Sequence, residues 1–143
     1  MTDYTTEASL DALAESVLGA TLSHAEWTHE AHFAFALWML RHRPDASDAE
    51  SFRAIITRLN EAHGTPNTDS SGYHHTITAA SLAAAAAVLS DAGEAPLPEV
   101  LAALMTGPLG KFDWIFAHWT PEVLFSVPAR RGWVEPDLVP LPW

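Results

Sequence analysis

Apolar residues recur along this chain at spacings of three and four, the period of a helix that buries one side. Leu10, Leu13, Ala14, Val17 and Leu18 mark a first helix over about Ala8–Leu18, with Gly19 following it. A second has two possible starts, a capping box at Ser23-His24-Ala25-Glu26 or a cap at Thr28, and runs to about Arg41, ahead of Pro44. Its inward stripe is His29, His32, Phe33, Ala36, Leu37 and Leu40. Ser47-Asp48-Ala49-Glu50 is another capping box and opens a third helix carrying Phe52, Ile55, Ile56 and Leu59, which ends near His63 with Gly64 as its C-terminal cap.

A polar loop from Thr65 to Gly72 follows, with Ser71 placed to cap a fourth helix over about Gly72–Asp91. The alanines from Ala79 to Ala87 favour helix and permit close helix packing. A fifth helix fits Pro96–Thr106, and Thr120-Pro121-Glu122 starts a short sixth. Beyond Ser126 four prolines call for an extended course, pinned by Trp133, Leu138 and Trp143. No alternating strand pattern or repeat competes. The expected fold is therefore all-α: one domain over residues 1–143, a compact bundle of about five to six helices, with 127–143 as an extended Pro-rich C-terminal tail packed on it.

At 143 residues the chain buries a sizeable core without staples. It has no Cys, which excludes thiolate metal sites, iron–sulfur clusters and cysteine nucleophiles. Seven Lys and Arg against 18 Asp and Glu give a net charge of −11, which repels a phosphate backbone, so nucleic acid is not an expected partner. The first residues lack the pattern of a signal peptide and no apolar run is long enough to cross a bilayer, so a cytoplasmic protein without a membrane partner is expected.

Eight His residues carry the unusual chemistry. In Trp27-Thr28-His29-Glu30-Ala31-His32, spacing i,i+3 puts His29 and His32 on one helix face, and Gly72-Tyr73-His74-His75-Thr76 adds a second island. Imidazole is the commonest biological metal ligand and titrates nearest neutrality. At a helix start the dipole keeps His74 neutral, as ligation requires. Three neutral nitrogens from His29, His32 and His74 match an open mononuclear site holding a divalent transition metal: Fe, Zn, Ni or Mn.

Around such an ion Tyr73, Thr76 and Glu30 are the candidate catalytic groups, and Asn67, Thr68, His63 and His75 the candidate substrate contacts. A metal-dependent enzyme acting on a small polar molecule is the leading expectation, by hydrolysis, elimination or iron-dependent oxidation. A metal-free helical domain that binds a small ligand or partner is the alternative. His24, His42 and His118 are assigned to surface, capping or packing roles. The absence of GxGxxG, GxxxxGK, HExxH, GxSxG and EF-hand patterns removes several other chemistries.

The segments WTHEAHFAFALWML, LNEAHGTPNTDSSGYHHTIT and LFSVPARRGWVEPDLVPL resemble a family of small, largely uncharacterised bacterial proteins with a WTHxAH helix, a GYHxTIT segment and an FSxxAR, WxxPDL tail. The resemblance spans nearly the whole chain and implies a shared fold and site. It places His29 and His32 in the first motif and Tyr73, His74, Thr76 and Thr78 in the second. His75 departs from the pattern, which often carries an acidic residue there.

Overall fold

A computed structural model describes residues 3–143, and every regular element among them is helical. Thr6 and Ser9 form a reciprocal capping box that starts α1 (Glu7–Leu18), which buries Leu10, Leu13, Ala14 and Val17. Helix α2 (His29–His42) starts at Thr28, whose hydroxyl accepts the Ala31 N–H at 3.2 Å. Ser23 instead caps a single 3₁₀ turn at His24–Glu26. Seven of the next residues, Ala31, Phe33, Ala34, Phe35, Ala36, Leu37 and Met39, are buried, so α2 is enclosed around most of its circumference. Its neighbours are α1, α4 (His75–Ala92) and α5 (Leu97–Thr106). Arg41 closes its far end by donating to the carbonyls of Gly93 and Ala95 in the turn between α4 and α5.

Asp48 caps α3 (Ala49–Ala62), whose inward residues Phe52, Ile56 and Leu59 keep helical spacing. The polar Asn60 is buried beside them and hydrogen-bonds Asn67. Most of the core forms one apolar cluster running through α1 to α5, while Ala80, Ile115, Trp119 and Leu124 form a smaller one under the C-terminal segment.

That segment differs from the expected extended tail. Pro121–Leu124 is α6, and Val127–Arg131 folds as a further short helix, α7, because Ser126 caps it and Pro128 falls where a missing N–H costs nothing. Only 132–143 lacks regular structure. Trp133 and Trp143, each 42% exposed, pack on Trp119 and Trp114 with ring centroids 5.6 and 6.3 Å apart, whereas the Leu138 side chain is 52% exposed. Hydrogen bonds to the tail backbone hold it as well. The Trp119 indole donates to Val134 O at 2.9 Å, Leu138 N–H to His118 O at 3.0 Å, and the His118 ring to Val139 O at 2.8 Å. Thr76, fully buried in α4, donates to Gly132 O at 2.7 Å and accepts from Val134 N–H at 3.2 Å. No single helix among the described residues is long and apolar enough to cross a membrane.

Candidate functional site

Spacing i,i+3,i+4 on α2 presents His29, His32 and Phe33 to α4, which answers with Ile77 and Ser81 one turn apart. The chain then returns from 80 residues away: Phe112, Trp114, Ile115 and Phe116, with Leu124 and Phe125, complete a cleft of about 350 Å³. Phe112 and Phe125 are 77% and 51% exposed and form its mouth. A smaller recess, shared by His32, Ile77 and Ser81, continues inward between Trp27 and Phe35. The walls are almost wholly aromatic or aliphatic, and His29, His32 and Ser81 are the polar side chains among them.

Backbone carbonyls set both imidazole tautomers. A carbonyl accepts only, so the His32 Nδ1 that lies 2.6 Å from Thr28 O carries the proton, leaving the Nε2 lone pair without a partner among the described residues. At His29 it is Nε2 that donates, to Leu109 O at 2.8 Å, and Nδ1 keeps the lone pair. The His32 ring stacks on Trp27 with centroids 3.8 Å apart. His32 is exposed, not core-facing as the inward stripe suggests, while the protein packed around its ring pushes its pKa down to about 4, against weaker upward help from the Thr28 carbonyl. His32 is thus a neutral hydrogen-bond acceptor at pH 7. Ser81 lies in the alanine run of α4 and makes no hydrogen bond to another described residue, so its hydroxyl can donate or accept.

His74 does not join the two. It is the N-cap of α4, not a residue of its first turn, and takes the place expected for Ser71, which pairs with Thr68 across the loop. Its Nδ1 accepts the Ile77 N–H at 3.2 Å and its Nε2–H donates to Leu124 O at 2.6 Å. Both ring nitrogens are spent on the fold, and burial lowers its pKa. His74 is not among the residues lining the cleft, although its ring packs edge-on against Phe125 of the cleft wall. Among the described residues no three His, Cys, Asp or Glu side chains are gathered as a metal would require. The proposed trio His29, His32 and His74 therefore does not fit an ion: two lone pairs are offered where three were expected.

The other expected residues also take separate places. Glu30 turns away from the cleft, into a groove of about 670 Å³ shared with Tyr4, Glu26 and Met105. Thr76 is consumed by the tail. Tyr73 is buried; its hydroxyl donates to Ala49 O at 3.4 Å and lies 2.8 Å from His75 Nδ1, while His75 Nε2 lies 3.9 Å from Glu50 Oε1. Burial raises the Tyr73 pKa to about 12 and lowers that of His75. His63 donates Nε2–H to Leu22 O at 2.7 Å, far from His75, and its Nδ1 is buried without a partner.

Asn67 organises the loop rather than reaching out of it. Its Oδ1 accepts from Asn60 Nδ2 and Tyr73 N, both at 3.0 Å, and its Nδ2 donates to Thr57 O at 3.2 Å. The exposed Thr68 hydroxyl accepts the Ser70 N–H at 3.3 Å. Ser81, Ile77 and the Phe112–Phe125 cover were not singled out in the sequence as site residues. Ser81, a hydroxyl set in an alanine run and one turn from Ile77, carried the one signal available. No family model, curated protein or solved structure matches this chain.

Proposed function

We propose that this chain is a small-molecule-binding helical domain whose ligand is flat, mostly apolar and carries a hydrogen-bond donor. One observation carries the proposal: His32, whose Nε2 makes no hydrogen bond to another described residue, lines an aromatic cleft of about 350 Å³. Ligand clefts typically span about 300–1,000 Å³ and combine apolar walls with a few polar groups that fix orientation. Stacking against Phe112, Trp114 and Phe125 supplies contact area, and His32 with Ser81 selects a donor. The metal-dependent reading has only two free imidazole lone pairs to draw on, so no reaction step is built on an ion.

Phenol and indole, each flat with one donor, are suitable probes, and toluene is the control without a donor. Phenol should perturb the amide resonances of Phe33, Ile77 and Ser81 saturably and more tightly than toluene. His32→Leu should weaken phenol by about fivefold to tenfold, the worth of one hydrogen bond of roughly 1 kcal/mol, and leave toluene unchanged. Equal loss of both probes, or no response at the cleft, contradicts the proposal.

A further inference from the structure

A second, chemically opposite site lies about the Asn67 loop. Arg53 and Thr57, one turn apart on α3, face Arg130 and Arg131 of α7 across a pocket of about 180 Å³ completed by Asn67, Thr68, Asp69 and Tyr73. Three of the chain's seven basic residues thus meet in one place, although the chain as a whole carries −11. Two of them are compensated. Arg131 holds Asp69 through paired 2.7 Å bonds, and Arg53 pairs with Glu50 at 2.9 Å while lying over the Tyr73 ring.

Arg130 is not compensated. Its Nη1 donates to the carbonyls of Gly72 and Tyr73 at 3.2 and 3.3 Å, and among the described residues no carboxylate makes a salt bridge with it. Its Nε is buried with no acceptor. The Nη2 end of the fork, unlike Nη1, makes no hydrogen bond to another described residue, which leaves an Arg130 donor for an incoming anion. The Thr57 hydroxyl on the opposite wall is a further donor. At about 180 Å³ the pocket is smaller than the roughly 300 Å³ at which clefts for drug-sized ligands begin, so it suits a small group rather than a whole cofactor.

We infer that this pocket binds a phosphate group, with Arg130 as its principal donor and Arg53, Arg131 and Thr57 around it. Planar guanidinium forks match phosphate oxygens in pairs, and a local excess of one positive charge, three guanidiniums against Asp69 and Glu50, favours the anion. The group is supplied either as free phosphate or as the end of a small phosphomonoester. The site is distinct from the aromatic cleft and does not depend on it.

The test uses the full chain and follows the arginine Nε–H resonances by NMR during titration with inorganic phosphate, glycerol 3-phosphate, and sodium chloride at matched ionic strength. Saturable movement of the Arg130 Nε–H below about 10 mM phosphate, absent with chloride, is the expected result. Tighter binding of glycerol 3-phosphate than of phosphate identifies a monoester as the ligand; the reverse identifies the free ion. Arg130→Gln should weaken phosphate at least tenfold, with Arg130→Lys between it and the native chain. An Arg130 resonance that responds equally to chloride, or phosphate binding unchanged in a folded Arg130→Gln protein, overturns the inference. The native-chain titration decides the matter if that variant does not fold.

Discussion

Replacing His74 by Ala separates a residue that builds the fold from one that would merely face a ligand. The ring makes two bonds that Ala cannot. Losing the N-cap acceptor for Ile77 N–H costs about 0.5–2 kcal/mol. Leaving the carbonyl of the fully buried Leu124 without its partner costs roughly 1–3 kcal/mol. These terms share one side chain and are not fully additive, so we expect a loss of about 2–4 kcal/mol, a large part of the roughly 5–15 kcal/mol that holds a domain together. The corresponding fall in Tm is about 6–15 °C for a chain of this size.

Urea denaturation followed by far-UV circular dichroism measures the change as a lower midpoint at unchanged slope. His74→Asn keeps an acceptor at the cap but falls short of Leu124 O, and should recover roughly half the loss. A change below about 0.5 kcal/mol in His74→Ala would refute the assignment, since it would mean that neither bond matters to folding.

Four further outcomes follow from the same geometry. Thr76→Val keeps the shape but strands Gly132 O and Val134 N–H; it should cost about 2–4 kcal/mol and speed hydrogen exchange at Val134, and unaltered exchange there would count against the Thr76 clip. Gly110→Ala would drive a Cβ into the Met105 backbone and shift the carbonyl at Leu109 that orients His29, so the His29 imidazole resonances should move; their constancy would show that the turn yields elsewhere. Burial lowers the pKa of His32, His74 and His75 below the ordinary 6.5, so protons bind the unfolded chain more readily than the folded one. Stability should be complete above about pH 6.5 and decline as pH falls toward 4, and a flat pH profile through that window would contradict it. Treatment of untagged protein with a strong chelator should leave Tm unchanged, whereas a stoichiometric metal whose removal lowers Tm would contradict the two-imidazole account.

The pattern of apolar spacing and caps was enough to place α1, α3 and α5 within a residue or two and the end of α2 likewise, because those signals are local; the start of α2 stayed open between Ser23 and Thr28. Thr28 caps α2 at one of the two starts its sequence offers, whereas Asp48 and not Ser47 caps α3, because its carboxylate reaches the Ser51 N–H. The start of α4 was displaced from Gly72 to His75 because an imidazole, seldom a capping group, took the role open to Ser71. For the candidate site the division is similar. The i,i+3 spacing of His29 and His32 correctly puts them on one face, since it depends only on the helix they share. What they face depends on where α4 crosses α2 and on chain folding back from Phe112 to Phe125, and neither is written in a local window. The free valences of a His are equally non-local: the carbonyl that occupies His74 Nε2 belongs to Leu124, fifty residues on.

Imidazole ¹⁵N resonances of His32, followed from pH 7 to pH 4, test the central claim most directly. The account predicts a neutral ring with its proton on Nδ1 throughout most of that range, protonation only near pH 4, and a shift of the Nε2 resonance when phenol is added at pH 7. An Nε2–H tautomer, titration near 6.5, or an Nε2 resonance indifferent to phenol would contradict it.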